Sequence, residues 1–204
     1  MSFILHDGDL PNNFSVSDSI AVDTETMGLN PTRDRLCVIQ LSCGDSEAHI
    51  VRLDEKTGYK APNLKSILSD RSILKIFHYA RFDLSMINTY LKINCEPIFC
   101  TKIASKIART YTDRHGLKDL CRDIIGIEIS KQQQSSDWGK TELSKEQLKY
   151  AADDVLYLHK LKDKLEIMLK RENRLKLANK CFEFLPARVE LDLKGWSDYD
   201  IFSH

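Results

Sequence analysis

The first quarter of the chain alternates short apolar runs with polar turn sequences. The apolar runs cover residues 19–23, 36–42 and 49–53. The sequences between them, NPTRDR and CGDSE, are rich in residues that favour turns. Because these connections are short, we expect three consecutive antiparallel strands.

The rest of the chain alternates short strands with segments of helical spacing. Two further strands are predicted at 74–77 and 98–100, and residues 132–136 are predicted to form a polar loop. Helices are predicted at 63–68, 82–90, 102–109, 117–125, 172–184 and from 145 to about 170. Gly126 follows the fourth of these and is typical of a helix end. Strands followed by alternating strands and helices predict an α/β fold with a mixed sheet flanked by helices.

The long helix that starts at residue 145 has the clearest sequence signal. Ser144 and Gln147 form the S-x-x-Q pattern of a capping box, and Leu143 and Leu148 occupy the positions of a hydrophobic staple. The apolar residues that follow recur at helical spacing. They are Leu148, Ala152, Val155 and Leu158.

Four carboxylates and a tyrosine lie at the ends of these apolar segments. Asp23 and Glu25 are two residues apart in a strand, so they project from the same face. Tyr150 and Asp154 are four residues apart in a helix and therefore share one helix face. Asp83 follows the strand-like run ILKIF near the start of a helix.

Each of these residues also has a purely structural interpretation. Asp83 alone is typical of a turn or a helix cap, and Tyr150 alone is typical of a half-buried aromatic residue. Asp154 alone fits a solvated helix position, as we expect for Asp153. As a group the carboxylates need a counter-charge, because like charges in one site disfavour joint ionisation. An all-oxygen ligand set indicates a hard cation, Mg²⁺ or Mn²⁺.

Three segments, DTETMGL, HYARFD and YAADDVLYL, resemble in order the exonuclease motifs of the DEDD superfamily. Tyr150 ahead of Asp154 is the mark of its DEDDy branch. The stretch ISKQQQSSDWGKTELSKEQLKYAADDVLYL resembles the ribonuclease D group, and the resemblance spans residues 20–161. The residues of this stretch that match the group are Lys131, Gln134, Ser136, Asp137 and Trp138.

Within that group, the chain looks most like nanoRNase C, a set of small bacterial DEDDy enzymes that degrade very short RNA. The similar segments are RTYTDRHGLKDLC, SKQQQSSDW and FLPARVELDLKGWSDYDIF. The resemblance implies a ribonuclease-H-like fold and a ring-shaped homo-oligomer. It also implies release of nucleoside 5′-monophosphates from the 3′ end of RNA. Two divalent ions would be held by Asp23, Glu25, Asp83 and Asp154, and Tyr150 would orient the attacking water.

Several further residues are candidates for substrate contact. Leu29, after DTETMG, is placed to wedge between the terminal bases, and His78 and Phe82 to approach the second nucleotide or its phosphate. Packing in the core is an equally good interpretation of Phe82. Arg114 and His115, at a predicted loop-to-helix junction, are candidate phosphate contacts. The other cations of this region are interpreted as a solvated helix face. They are Lys102, Lys106, Arg109, Lys118 and Arg122.

Composition narrows the function further. The 204 residues, 42% of them hydrophobic, suffice for one core, which predicts a single domain over 1–204. The formal net charge is zero, whereas proteins that grip long nucleic acids are usually basic. A short nucleic-acid substrate therefore fits this charge balance better than a long one does. Residues 185–204 would extend beyond the nuclease core, either capping it or contacting another subunit.

Six cysteines lack metal-binding spacing, so zinc is not expected and free thiols are. No signal peptide is recognised, no apolar run reaches the roughly 18 residues of a membrane span, and a cytoplasmic setting is expected. Three alternatives stay open. They are a catalytically inactive binding module, a DNA proofreading or repair exonuclease, and an enzyme that trims tRNA 3′ ends as ribonuclease D does.

Overall fold

The apolar runs form one six-stranded sheet in the computed structural model, which describes residues 2–130 and 132–204. The strand order across the sheet is β1-β4-β3-β2-β5-β6. The strands are β1 (Ser2–Asp7), β2 (Ser19–Thr26), β3 (Leu36–Ser42), β4 (Glu47–Arg52), β5 (Leu74–Phe77) and β6 (Ile98–Cys100).

The sheet is mixed, as predicted. Strands β2, β3 and β4 pair antiparallel in succession, because short turns connect them. Strands β5 and β6 join the β2 edge in parallel, and a helix precedes each of them in the chain. Strand β1 was not predicted. It pairs parallel with β4 at the other edge, and its apolar residues Phe3, Ile4 and Leu5 are exposed, so no buried face marks it in the sequence.

Seven α-helices are present in the described residues. They are α1 (Pro62–Ser69), α2 (Ala80–Leu91), α3 (Thr101–Ala108), α4 (Leu117–Leu120), α5 (Lys145–Leu156), α6 (Leu158–Arg171) and α7 (Leu175–Leu191). A π-helical turn over Cys121–Ile125 continues α4, and Gly126 ends it with a φ of 69°. This left-handed conformation costs glycine little, which explains the predicted helix end.

Two predicted helix boundaries were wrong. The helix expected from 145 to about 170 is interrupted at Tyr157, where φ is −106° and ψ is −5°. Apolar residues continue at helical spacing through the break, so the pattern does not reveal it. The helix expected at 172–184 begins at Leu175, after the left-handed Asn173, and continues to Leu191 with Pro186 inside it.

Helix α5 packs on β2, β3 and β4, and this contact positions the candidate site. The larger core lies between the sheet and the remaining helices. A second, smaller apolar cluster joins α5 to the antiparallel strands. Its buried members are Cys37, Val38, Ile50, Trp138, Leu148 and Ala151.

All six cysteines are free, as predicted. Four are buried and two, Cys43 and Cys181, are half-buried. None of the helices in the described part of the chain is long and apolar enough to cross a membrane.

An ion-pair network holds the chain that follows α7 against the start of α2. Asp192 accepts hydrogen bonds from Arg81 Nη2 at 2.8 Å and from Arg188 Nε at 2.9 Å. Beyond it, Trp196 is 46% exposed and Phe202 is 79% exposed. The end of the chain therefore presents large apolar side chains to solvent.

Candidate metal centre and active-site groove

Strand β2 and helix α5 bring three carboxylates together. One oxygen atom of each of Asp23, Glu25 and Asp154 lies within 4.8 Å of the other two. The alternation of β2 projects the first two from the same face, and the packing of α5 on that strand supplies the third. This group brings together three of the four predicted metal ligands.

Asp83, the fourth predicted ligand, lies in the first turn of α2 and is 2% exposed. Its Oδ1 accepts a hydrogen bond of 2.7 Å from Thr24 Oγ1. Thr24 stands between the two acidic residues of β2, and no role for it was predicted from the sequence. Its hydroxyl links the carboxylate on α2 to the strand that carries the other ligands.

Burial and mutual repulsion raise the pKa values of these carboxylates. Burial raises the pKa of Asp23 to about 7. The pKa of Glu25 is raised well above its usual range by burial and then by Asp23, Asp154 and Asp83. That of Asp83 is raised by burial and then by Asp23. A divalent cation would reverse this effect, because it favours the ionised forms.

The capping box at the start of α5 also anchors a loop. Ser144 Oγ accepts from the backbone N–H of Gln147 at 3.2 Å, and Gln147 Oε1 accepts from the Ser144 backbone N–H at 3.0 Å. The Nε2 group of Gln147 donates to Ser136 Oγ at 3.0 Å and to the carbonyl oxygen of Asp137 at 3.1 Å. Gln147 thus caps the helix and also holds the segment SDW, residues 136–138, against its N-terminus.

Trp138 of that segment packs against Tyr150. The ring centroids are 6.0 Å apart and the planes make an angle of 43°. Trp138 is 2% exposed, so it forms a rigid support for the tyrosine. Burial, followed by the nearby Asp154 and Glu25, raises the pKa of Tyr150, so its hydroxyl stays protonated at neutral pH.

A groove of about 700 Å³ opens above the carboxylates. Leu29 lines it and is 84% exposed. The turn that carries Leu29 is built around Asp34, whose Oδ2 accepts from the backbone N–H of Asn30 at 2.9 Å. A Cβ on Gly28 would clash with that carboxylate oxygen, so a larger residue there would displace the Asp34 side chain.

His78 and Phe82 line the same groove. His78 Nδ1 lies 2.9 Å from Thr101 Oγ1, which itself donates to the carbonyl oxygen of Phe77 at 3.1 Å. The threonine hydrogen is therefore used, and His78 is the donor through Nδ1–H. Lys102 lies 4.2 Å from the ring centroid of Tyr79 and also lines the groove.

Arg114 and His115 do not line this groove; their role in phosphate contact stays a prediction. His115 Nδ1 lies 2.8 Å from Ser105 Oγ, and the carbonyl oxygen of Arg114 accepts from buried Arg109 at 3.1 Å. Burial and then Arg109 lower the pKa of His115, so its imidazole is neutral. Among the described residues, the lysines that line the groove are Lys102 and Lys118.

One residue of α5 is placed differently from its prediction. Asp153 was expected to be solvated but is 6% exposed, and its Oδ2 lies 2.9 Å from Lys149 Nζ. The lysine four residues earlier provides a charge partner, which permits this burial.

Lys131, one of the residues that resemble ribonuclease D, lies outside the described residues, whereas Gln134 and Ser136 line the groove.

Comparison with known proteins agrees with this geometry. Residues 9–170 match the family model described as 3′-5′ exonuclease. Ribonuclease D of Xanthomonas oryzae pv. oryzae is 30% identical over 192 residues, which are 93% of this chain and 52% of that protein. The chain covers 39% of a second curated ribonuclease D, so it spans about two fifths to one half of such relatives.

Two solved structures match over the whole chain. Brucella melitensis NrnC with bound Mg²⁺ is 53% identical, with a TM-score of 0.94 and full coverage of both chains. Brucella melitensis NrnC bound to pGG is 54% identical, with a TM-score of 0.95 and coverage of 100% of this chain and 99% of that chain. These matches confirm the predicted ribonuclease-H-like mixed sheet and the resemblance to nanoRNase C.

Because the pKa values of the carboxylates are raised, we expect the stability of the metal-free protein to depend on pH. The folded state holds more protons than the unfolded state between the usual pKa of Asp23, 3.8, and its folded value of about 7. The free energy of unfolding therefore falls as pH rises through this window. We expect the double variant Asp23→Asn/Glu25→Gln to gain in melting temperature over the wild type as pH rises from about 4 to about 7.

Calorimetry in a chelating buffer measures this difference, and subtraction cancels the titration of other groups. Mg²⁺ should raise the melting temperature of the wild type more at neutral than at acidic pH, because it binds the ionised carboxylates. The double variant should respond little. A difference in melting temperature between variant and wild type that stays constant across the pH range would show that the pKa values of these carboxylates are not raised in the folded protein.

Proposed function

The chain belongs to the 3′-5′ exonuclease family, whose members hydrolyse phosphodiester bonds, and we propose that it degrades very short RNA from the 3′ end. One observation carries the proposal. The carboxylates of Asp23, Glu25 and Asp154 meet beside Tyr150 at the base of a groove of about 700 Å³. The likeness to an NrnC structure bound to pGG supports a dinucleotide-sized substrate.

The metal requirement follows from the donor set. Asp23, Glu25, Asp83 and Asp154 offer only carboxylate oxygens, the ligands that Mg²⁺ and Mn²⁺ prefer. We propose that together they hold two such ions. When bound, the ions supply positive charge for the attacking and the leaving oxygen of an in-line displacement. The bound Mg²⁺ of the similar NrnC structure supports magnesium in particular.

Tyr150 is proposed to orient the attacking water. Its hydroxyl is protonated, and it lies on the helix face that also carries Asp154. The water oxygen forms a bond to the terminal phosphorus while the bond from phosphorus to the 3′ oxygen of the preceding nucleotide breaks. The water proton is released, and the leaving 3′ oxygen takes up a proton. The products are a nucleoside 5′-monophosphate and a strand shortened by one residue.

The groove wall is proposed to hold the last two nucleotides. Leu29, at the exposed tip of its turn, is placed to wedge between their bases. Phe82 offers a ring and His78 an imidazole along the same groove. Lys102 and Lys118 supply the positive charge in the groove and are the better candidates for phosphate contact. Arg114 and His115 remain candidates outside it.

Replacing Tyr150 by Phe should separate orientation from binding. The ring would still pack on Trp138, but the hydroxyl beside Asp154 would be lost. We expect kcat to fall by about 100-fold or more while KM stays near the wild-type value. Steady-state kinetics on a dinucleotide measures both constants. Tyr90→Phe is the matched control, since Tyr90 is half-buried, packs on another aromatic ring and lies outside the groove.

A raised KM with an unchanged kcat would contradict this role for Tyr150. The residue would then be a substrate-binding group, and orientation of the water would have to be assigned elsewhere.

Competition between substrates tests the length preference. A dinucleotide and a long single strand, mixed at equal concentrations of 3′ ends, should not be consumed equally, and we expect the dinucleotide to disappear first. The formal net charge of the chain is zero, so it has no overall excess of positive charge with which to hold a long backbone. An Asp154→Ala preparation controls for contaminating nucleases. Equal consumption would refute the preference. The same competition is then repeated with single-stranded DNA and with tRNA in place of the long strand: faster loss of the DNA would favour the repair alternative, and faster loss of the tRNA 3′ ends would favour trimming.

Homo-oligomer formation is proposed for the same protein, with the segment 185–204 as the contact. Its exposed apolar residues Trp196 and Phe202 support this, as does the contact between the rings of Phe184 and Phe202, whose centroids are 6.2 Å apart. Exposed apolar clusters often mark interfaces. The ion pair between Asp192 and Arg81 would hold the segment in place on each subunit.

Light scattering should therefore give a mass well above the 23.5 kDa of one chain. The double variant Trp196→Asp/Phe202→Asp should lower that mass, because charge would be buried at the interface. Ile167→Asp, at a 61% exposed apolar residue on α6, is the matched control and should not change it. A wild-type monomer would refute the assembly without affecting the catalytic proposal.

A further inference from the structure

Gln40 lies in the middle of β3, directly opposite Asp23 in the antiparallel register. It is completely buried, and its Nε2 donates a hydrogen bond of 2.7 Å to Asp23 Oδ2. Its neighbours along the strand, Ile39 and Leu41, are buried apolar residues. The side chain is therefore a buried polar group in a strand that is otherwise apolar from Leu36 to Leu41.

Keeping an amide at this position has a cost. Within residues 2–130 and 132–204, Gln40 Oε1 has no hydrogen-bond partner. A buried polar atom without a partner destabilises the fold, whereas an apolar residue of similar size would leave none. Stability alone does not account for glutamine here. The one strong contact that the side chain makes is to a carboxylate of the candidate metal centre.

The chemistry of the contact fits a role in orienting that carboxylate. An ionised Asp23 only accepts hydrogen bonds, so the amide must present its NH₂ group to it. Together with the backbone N–H of Thr24, the amide restrains the rotation of the carboxylate. The amide carries no charge, so it leaves in place the negative charge that attracts a cation. A Lys or Arg at this position would offset that charge.

We propose that Gln40 is a positioning residue, which holds the Asp23 carboxylate in the orientation needed to bind a divalent cation. The proposal rests on the metal-dependent function inferred above. A partner that orients a metal ligand is commonly worth about 10–100-fold in metal affinity or activity. The residue would act through Asp23 and would not itself touch the substrate.

The test compares Gln40→Met, which keeps the length of the side chain, with Gln40→Leu as a second apolar replacement. The matched control is Ser42→Ala. Ser42 is equally buried, lies two residues further along the same strand, and donates through Oγ to the carbonyl oxygen of Glu47 at 2.8 Å. The same hydroxyl accepts from the backbone N–H of Gly44 at 3.3 Å, so the control removes two hydrogen bonds from the same strand but none from Asp23.

Two readouts are needed for each variant. Electron paramagnetic resonance of free Mn²⁺ measures binding to the RNA-free protein, and circular dichroism with thermal melting checks the fold. We expect both Gln40 variants to bind Mn²⁺ about 10–100-fold more weakly, with Ser42→Ala close to the wild type. The Mg²⁺ concentration for half-maximal hydrolysis should rise in parallel, while KM for the dinucleotide stays unchanged at saturating Mg²⁺.

A folded Gln40→Met or Gln40→Leu protein that binds Mn²⁺ as tightly as Ser42→Ala would overturn the proposal. So would a loss of the same size in all three variants, since it would report weakened packing of β3. Failure of the proposed function has a different result. In that case the wild type would bind Mn²⁺ but release no mononucleotide, and the comparison of metal affinities would still decide the role of Gln40.

Discussion

The burial of several carboxylates at the end of one strand is the constraint on which the rest of the site depends. Asp23, Glu25 and Asp83 lie where burial and mutual repulsion raise their pKa values. Such a group is unfavourable in a metal-free protein at neutral pH, and a bound cation relieves it. The surrounding sheet and helices must be stable enough to hold these groups together before a metal arrives, and a continuous buried core provides that stability.

Most of the support for the site comes from residues without a charge. Thr24 links Asp83 to β2, and Trp138 supports the ring of Tyr150. The loop that carries Trp138 is tied to α5 by Gln147 and to the Leu29 turn by Arg35, which donates to the carbonyl oxygen of Gly139 at 3.0 Å. The loop that carries Trp138 and the turn that carries Leu29 are therefore connected by a direct hydrogen bond.

Net charge describes this protein poorly, because its charges are segregated. The base of the groove is acidic, while Lys102 and Lys118 line its sides. Arg109 is 3% exposed and pairs with Asp123 at 2.9 Å, so this cation supports its loop and is not available to a ligand.

The sequence by itself determined the central strands, the start of α5 and which acidic residues are the candidate metal ligands. These features depend on residue spacing and on local hydrogen bonds. Only the tertiary structure decided which cations enter the groove, that Asp153 is buried beside Lys149, and that β1 completes the sheet edge. Apart from the Lys149–Asp153 pair, which is local to α5, these features arise from contacts between distant segments, which leave no periodic signal. The break at Tyr157 belongs with them, because the apolar spacing is the same on both sides of it.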